Sequence, residues 1–294
     1  MMSFTHPRAI DAVNELKYEL QRLYADSSKH SAYQNIPEFV SAELGYTESI
    51  DEGWRGDRPR LSFLTECRTP AAGETWLDFG ANTGFFALSL AHRFPQTSFL
   101  AVEANPNHAR FIERVAHYFQ MRNVEVIQRA VGLRELPMLP RSDFMLHLNV
   151  LHHAGHDFDR ELVPERSGFA EYARSYLACL REITSAMLFQ VGSNWGGDRN
   201  QPLVDVRADA EKLATFEAWL GDSGWTTREI AYAHRREDGR IEYNRLGRQA
   251  SGQPGESVDS WAFLDQFPGE FYRRPLFLCD GAATKSAECK RSQG

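Results

Sequence analysis

The sequence predicts an α/β protein of Rossmann-like fold: a seven-stranded, mostly parallel sheet with helices on both faces and an N-terminal helical cap. Three observations carry that expectation. Residues 75–106 read strand, glycine-rich turn, helix, strand, acidic residue, which is one βαβ unit. Along the rest of the chain, short apolar runs bounded by Gly, Pro or Asn alternate with stripes of helical period. At 294 residues, 42% hydrophobic and 25% charged, the chain has an ordinary globular composition and can bury a full core.

The cap comes first. Residues 8–25 place Ile10, Val13, Leu16, Leu20 and Leu23 at helical spacing. The next forty residues are polar and broken by Gly45, Gly53, Gly56 and Pro59, which suits short helices up to about residue 70. A first strand is expected at about 75–80, and the helix after Gly84 carries Phe85, Phe86, Leu88 and Leu90. Ser98–Glu103 supplies the second strand. Asn105-Pro106 then opens a helix, Asn as N-cap and Pro in the first turn, with Phe111, Ile112, Val115 and Tyr118 as its stripe. Strands follow at Val124–Val131, Asp143–Asn149 and Ala186–Val191, with a helix at about 168–183. A helix at about 208–220, a strand at Thr226–Ala233 and a closing strand at Pro275–Cys279 complete the alternation. The expected division is a cap over 1–70, a main domain over 71–281 with an insertion at 235–272, and a flexible tail over 282–294.

Charge and cysteine usage narrow the partners. The net charge of -7 disfavours nucleic acid, since a duplex binder wants a basic face. The four cysteines, Cys67, Cys179, Cys279 and Cys289, form no Cys-x-x-Cys pair, so neither a zinc ribbon nor a redox motif is suggested. No metal is expected. No apolar run approaches the ~18 residues of a membrane span. Residues 1–7 lack a signal pattern, so a cytoplasmic protein is expected, with at most peripheral membrane contact. The oligomeric state is not legible.

The βαβ unit selects its ligand. Its loop is Asp78-x-Gly80-x-Asn82-x-Gly84, and Glu103 follows Gly84 by nineteen residues. The Gly-x-Gly-x-x-Gly spacing that seats a pyrophosphate is missing. S-Adenosylmethionine has no phosphate; its α-amino group wants a carboxylate and its ribose hydroxyls an acidic acceptor at the second strand end. Asp78 and Glu103 meet those needs. Asn82 stands where Gly is usual, and Asn tolerates positive φ. A bland alternative is an α/β domain with a merely tight turn.

A second constellation follows the fourth strand: Asn149-Val-Leu-His152-His153-Ala-Gly-His156-Asp157. In a doubly wound sheet, ligands sit outside the C-terminal strand ends, which places Asn149, His152 and His153 beside the reactive methyl group. These histidines are read as a general base or acceptor-orienting pair, as pocket-shaping loop residues, or as metal ligands with Asp157. His147 lies inside the strand and is the weaker candidate. Arg235, Arg236, Arg240, Arg245 and Arg248 surround an Asp238-Gly239 turn, and Arg273-Arg274 precede the last strand. Most are read as solvated. Arg274 is the best candidate for a substrate contact, with His156 as a second. Trp261, Phe263, Phe267, Phe271 and Tyr272 of the insertion are candidates for an acceptor wall.

These residues resemble those of class I S-adenosylmethionine-dependent methyltransferases. A closer resemblance spans residues 30–280. Tyr33-Gln34-Asn-Ile36 with Arg60-Leu61, Gly84-Phe-Phe-Ala-Leu-Ser-Leu-Ala91, Leu151-His152-His153 and Arg274-Pro-Leu-Phe-Leu278 are similar, in order, to the methyltransferase half of the bacterial O-antigen chain-terminating methyltransferase–kinase. The resemblance implies that Tyr33 and Arg60 close over the cofactor, Arg60 near its carboxylate; a solvated Arg60 is the alternative. That family methylates a terminal phosphate installed by its own kinase, and this chain has no room for a kinase. Asp78-Phe-Gly-Ala-Asn82, Val102-Glu-Ala-Asn-Pro106 and Arg129-Ala-Val-Gly132 also resemble macrolide-type sugar O-methyltransferases. A weaker likeness is to the tRNA wobble-uridine carboxymethyl-transferring enzyme, against which the acidic charge speaks. The resemblance thus implies methyl transfer to a glycan terminus, at a hydroxyl or a terminal phosphate, in polysaccharide biosynthesis. A small-molecule or natural-product O- or N-methyltransferase and a non-catalytic cofactor-binding partner are the other readings.

Overall fold

The computed structural model describes residues 7–25, 35–46, 56–247, 258–267 and 269–281. Seven helices and eight strands are described. The cap contributes Pro7–Ala25 (α1), Glu38–Leu44 (α2) and Asp57–Cys67 (α3). There follow Thr75–Phe79 (β1), Phe85–Arg93 (α4), Ser98–Glu103 (β2), Pro106–Tyr118 (α5) and Val124–Gln128 (β3). Phe144–Leu148 (β4), Phe169–Leu180 (α6), Ala186–Gln190 (β5), Asp209–Asp222 (α7), Trp225–Arg235 (β6), Ile241–Arg245 (β7) and Leu276–Gly281 (β8) complete the chain.

One sheet runs β3-β2-β1-β4-β5-β8-β6-β7. β1 pairs in parallel with both β2 and β4, β2 with β3, and β4 with β5. The β8, β6 and β7 pairings are antiparallel. The expected α/β class with a mostly parallel core is therefore observed, with eight strands in place of seven. The additional strand is β7, which forms a hairpin with β6 inside the stretch expected as an insertion. Its Arg236 N–H donates to Arg240 O (2.8 Å), and Gly239 adopts φ 83 at the turn. Five residues, Ile-Glu-Tyr-Asn-Arg, at a sheet edge offer too little apolar signal to announce a strand. β3 ends at Gln128 rather than Val131. The expected tail, 282–294, lies outside the described residues.

The pleat sorts side chains by face. Leu77, Phe79, Met145, Met187, Phe189 and Phe277 point to a core closed by α6 and α7, through Tyr176, Leu177, Phe216 and Trp219. Trp76, Phe144, Leu146, Leu188 and Leu278 point to the opposite core, with Phe63 and Leu64 of α3 and Phe85, Phe86 and Leu90 of α4. α1 and α2 extend this second layer: Leu16, Leu20 and Val40 pack with Phe111, Ile112 and Val115 of α5. Ion pairs fasten α1 to α5, with Glu19 accepting from Arg110 Nε (2.8 Å) and Arg114 Nη1 (2.7 Å).

The chain order reverses between β1 and β4, the two parallel neighbours that leave a crevice at their C-terminal ends. β1 ends in the glycine loop and β4 in the histidine turn, so topology alone brings the two sequence motifs together.

Candidate functional site

A cavity of about 980 Å³ opens at that crevice. Gly80, Asn82, Glu103, Asn149, His152, His153 and Arg274 line it, all of them singled out from sequence. Asp78, Gly84, Arg60 and His156 do not line it. Tyr33 lies outside the described residues.

The glycine-loop wall is local in the chain. Glu103 is buried at the end of β2, and its carboxylate accepts from Asn82 N–H (2.7 Å, Oε2) and Asn105 N–H (2.7 Å, Oε1). Burial pushes its pKa up, and those backbone donors, with that of Ala104, pull it back. Asn82 adopts φ 50, the left-handed conformation its residue type tolerates. Its Nδ2 contacts His108 Nδ1 (3.3 Å), while its Oδ1 is buried with no partner among the described residues. Gly80 also has positive φ, and a Cβ there would meet Val150 Cγ2 at 2.6 Å.

Asp78 sits one layer behind. Its Oδ2 accepts from Ala87 N–H (3.1 Å) in the first turn of α4, where a carboxylate complements the helix dipole. Burial raises its pKa to about 7; the Ala87 N–H lowers it, Glu103 raises it and Arg60 lowers it.

Arg60 is buried, not solvated. It donates to Asp57 Oδ1 (2.6 Å), Gly56 O (3.0 Å) and Gln190 Oε1 (3.3 Å), between the rings of Phe86 (5.2 Å) and Phe271 (5.1 Å). The network continues to the cavity. Asn149 Nδ2 donates to Gln190 Oε1 (2.8 Å), Arg274 Nη1 to Asn149 Oδ1 (2.8 Å) and Gln190 Nε2 to Arg274 O (3.1 Å). Glu270 accepts from Arg274 and from Asn194. Arg60 thus joins α3 to the ends of β4, β5 and β8. The spacing Asp57-x-x-Arg60 is a local sign of this pair that was not singled out from sequence.

The histidines separate into four roles. His147, fully buried in β4, contacts Tyr176 OH (3.2 Å), and burial lowers its pKa to about 4, so it is a neutral core residue. His152 Nδ1 accepts from Gly192 N–H (3.2 Å). His153 Nδ1 stands 2.9 Å from Asp157 Oδ2. His156 packs edge-on to Trp195 (4.3 Å between centroids), away from the cavity. Among the described residues no three His, Cys, Asp or Glu side chains are placed to hold a metal ion.

The remaining wall comes from distant segments. Asn194, Gly197 and Arg199 follow β5; Phe267, Gly269, Glu270, Phe271 and Tyr272 precede β8. Of the five aromatics expected there, Phe267, Phe271 and Tyr272 line the cavity. Trp261 and Phe263 pack on Tyr232 instead, at 5.3 and 6.0 Å between centroids. Arg129, Arg199, Asn194, Glu270 and His108 were not singled out as site residues; exposed arginines and loop amides carry no local signal. Asp157, read from sequence as a possible metal ligand, lies four residues after His153 and meets its ring instead.

No protein-family model matches this sequence, and no curated protein matches it. Among solved structures, the chain is similar to the N-terminal domain of EvdMO1 with SAH bound, at 19% identity and TM-score 0.49, covering 97% of this chain and 100% of that one. It is also similar to the bifunctional kinase-methyltransferase WbdD, at 19% identity and TM-score 0.45, over 63% of this chain and 39% of that one. A third is the precorrin-6y C5,15-methyltransferase from Geobacter metallireducens GS-15, at 12% identity and TM-score 0.42, over 75% and 86% of the two chains. The chain spans about two fifths of the length of WbdD.

Proposed function

We propose that this protein is an S-adenosylmethionine-dependent O-methyltransferase whose acceptor is a glycan terminus. The observation that carries the reading is the pairing, in one cavity, of two unlike walls. At one end Glu103, an acidic acceptor at the end of β2, stands beside the orphaned Asn82 Oδ1. At the other end stand His152 and His153.

The residues fit the cofactor. A buried amide oxygen without a partner wants a donor such as a ribose hydroxyl. A carboxylate that already accepts two N–H bonds still has lone pairs for another. A cavity of about 980 Å³ lies at the upper end of the range for ligand pockets, which suits two reactants. When bound, the cofactor supplies an electrophilic methyl group, so the protein's task is to align the acceptor, take up its proton and exclude water. The imidazoles of His152 and His153 on the cavity wall supply the candidate proton-transfer groups. The aromatic faces of Phe267, Phe271 and Tyr272 suit a sugar ring.

A second reading, methylation of a terminal phosphate, is favoured by Arg199, an exposed cation on the cavity wall with no ion pair among the described residues. A phosphate oxygen is already anionic and needs cations rather than a base. Transfer of labelled methyl from S-adenosylmethionine into fractionated cell material, with and without phosphatase, tests both. The expected result is label in a glycan fraction that survives phosphatase. Label that vanishes with phosphatase supports the second reading. Label only in small molecules or RNA contradicts both.

A further inference from the structure

Two adjacent rings in one short turn have different partners. Leu151–His153 forms a 3-10 turn just after β4. Buried His152 accepts from Gly192 N–H at Nδ1 (3.2 Å). A ring nitrogen that accepts carries no proton, so the neutral His152 ring is protonated at Nε2 and acts there as a donor. Glycine at 192 permits this approach, since a Cβ would lie 2.6 Å from His152 Nε2 and Cδ2.

His153 is oriented by charge instead. The chain keeps turning after it: His156 N–H (3.0 Å) and Asp157 N–H (2.9 Å) both donate to His153 O. That turn brings Asp157 Oδ2 to 2.9 Å from His153 Nδ1. The N–H direction is not aimed at the oxygen as in a well-formed hydrogen bond, so the carboxylate acts mainly through its charge. A negative group at Nδ1 favours the proton there and leaves Nε2 with its lone pair. The ring lines the cavity, and no hydrogen bond to its Nε2 is made among the described residues. The two ring centroids stand 4.2 Å apart, a distance at which two imidazolium ions would repel.

We propose that the two histidines hold opposite tautomers and divide the work: His153 takes the acceptor proton at Nε2, with Asp157 as its positioning residue, while His152 donates from Nε2–H. This rests on the methyltransferase reading above. It adds that the acceptor atom carries a proton, so it is a hydroxyl and not a phosphate oxygen. As the acceptor oxygen bonds to the methyl carbon, the carbon–sulfur bond breaks with its electron pair left on sulfur, and the hydroxyl proton moves to His153 Nε2. Asp157 touches no reacting atom. The other charged groups lining this end are Arg199 and the mutually paired Glu270 and Arg274.

Long-range proton–nitrogen correlation on the ¹⁵N-labelled full chain, with S-adenosylhomocysteine added, reads both tautomers directly. His153 is expected as Nδ1–H and His152 as Nε2–H. In D157N the preference of His153 for Nδ1–H should be lost, with the Nε2–H form appearing in the same spectrum, because the carboxylate beside Nδ1 is gone. The His152 signal should not move. His153 found as Nε2–H in the wild type, or an unchanged His153 tautomer in D157N, would overturn the proposal. The wild-type tautomers answer even if D157N does not fold. Calorimetry with S-adenosylhomocysteine on the same sample keeps the two claims apart. Absence of binding would sink the methyltransferase reading, while the tautomers still report on the histidine pair.

Discussion

At the Glu103 end of the cavity, the supporting groups come from residues 78–108 and are held by backbone hydrogen bonds within one βαβ unit. At the His153 end they come from segments around 149–157, 194–199 and 267–274, joined by side chains: Asn149, Gln190, Arg274, Glu270 and Asn194. The two constructions suit different kinds of ligand. A wall built from backbone amides and one carboxylate is rigid and suits a ligand of fixed shape. A wall stitched from distant loops by side chains can be re-cut by changing loops, which suits an acceptor that differs from protein to protein.

Substitutions that act on one end only would break or sharpen this contrast. The largest effect is expected from H153A, which should slow methyl transfer by roughly 10²- to 10⁴-fold, the usual worth of a general base. Its affinity for S-adenosylhomocysteine should stay within about twofold. A comparable loss of affinity would show that the two ends are not separable.

A smaller effect is expected from R274A. Arg274 is largely buried and holds Glu270 and Asn149. Removing it should destabilise the protein by roughly 2 kcal/mol in chemical denaturation, because partly buried acceptors lose a charged donor. It should also raise the acceptor KM without weakening cofactor binding.

The smallest effect concerns Asp78. Its folded pKa is raised to about 7, chiefly by burial, against about 3.9 in an unfolded chain. Between those values the folded state keeps a proton that the unfolded state has shed, so the ionisation of Asp78 erodes stability as pH rises from about 4 to 7. D78N cannot ionise and still offers an oxygen to Ala87 N–H. Thermal unfolding should show D78N ahead of the wild-type protein by a few degrees at pH 8, with the gap closing towards pH 4. An unchanged gap across that range would contradict the assignment.

The same contrast explains what the sequence revealed. The strand–turn–helix–strand order from Thr75 to Glu103 is local, so the loop, its left-handed Asn82 and its distal acid were all legible. The switch between β1 and β4 then placed His152 and His153 beside them. Arg60 shows the limit: its burial between Phe86 and Phe271 depends on contacts across 26 and 211 residues of chain. Likewise Trp261 and Phe263 read the same as Phe267 and Phe271 in sequence, and only packing on Tyr232 turns them from the cavity. β7 escaped because an edge strand needs little apolar pattern.

On the proposed reading, the Glu103 wall holds the cofactor. Calorimetric titration of S-adenosylhomocysteine into the wild-type protein and E103A tests it most directly. Saturable one-site binding is expected for the wild type and roughly 10- to 100-fold weaker binding for E103A, the loss of hydrogen bonds to a buried carboxylate. Equal affinity of the two proteins would contradict it.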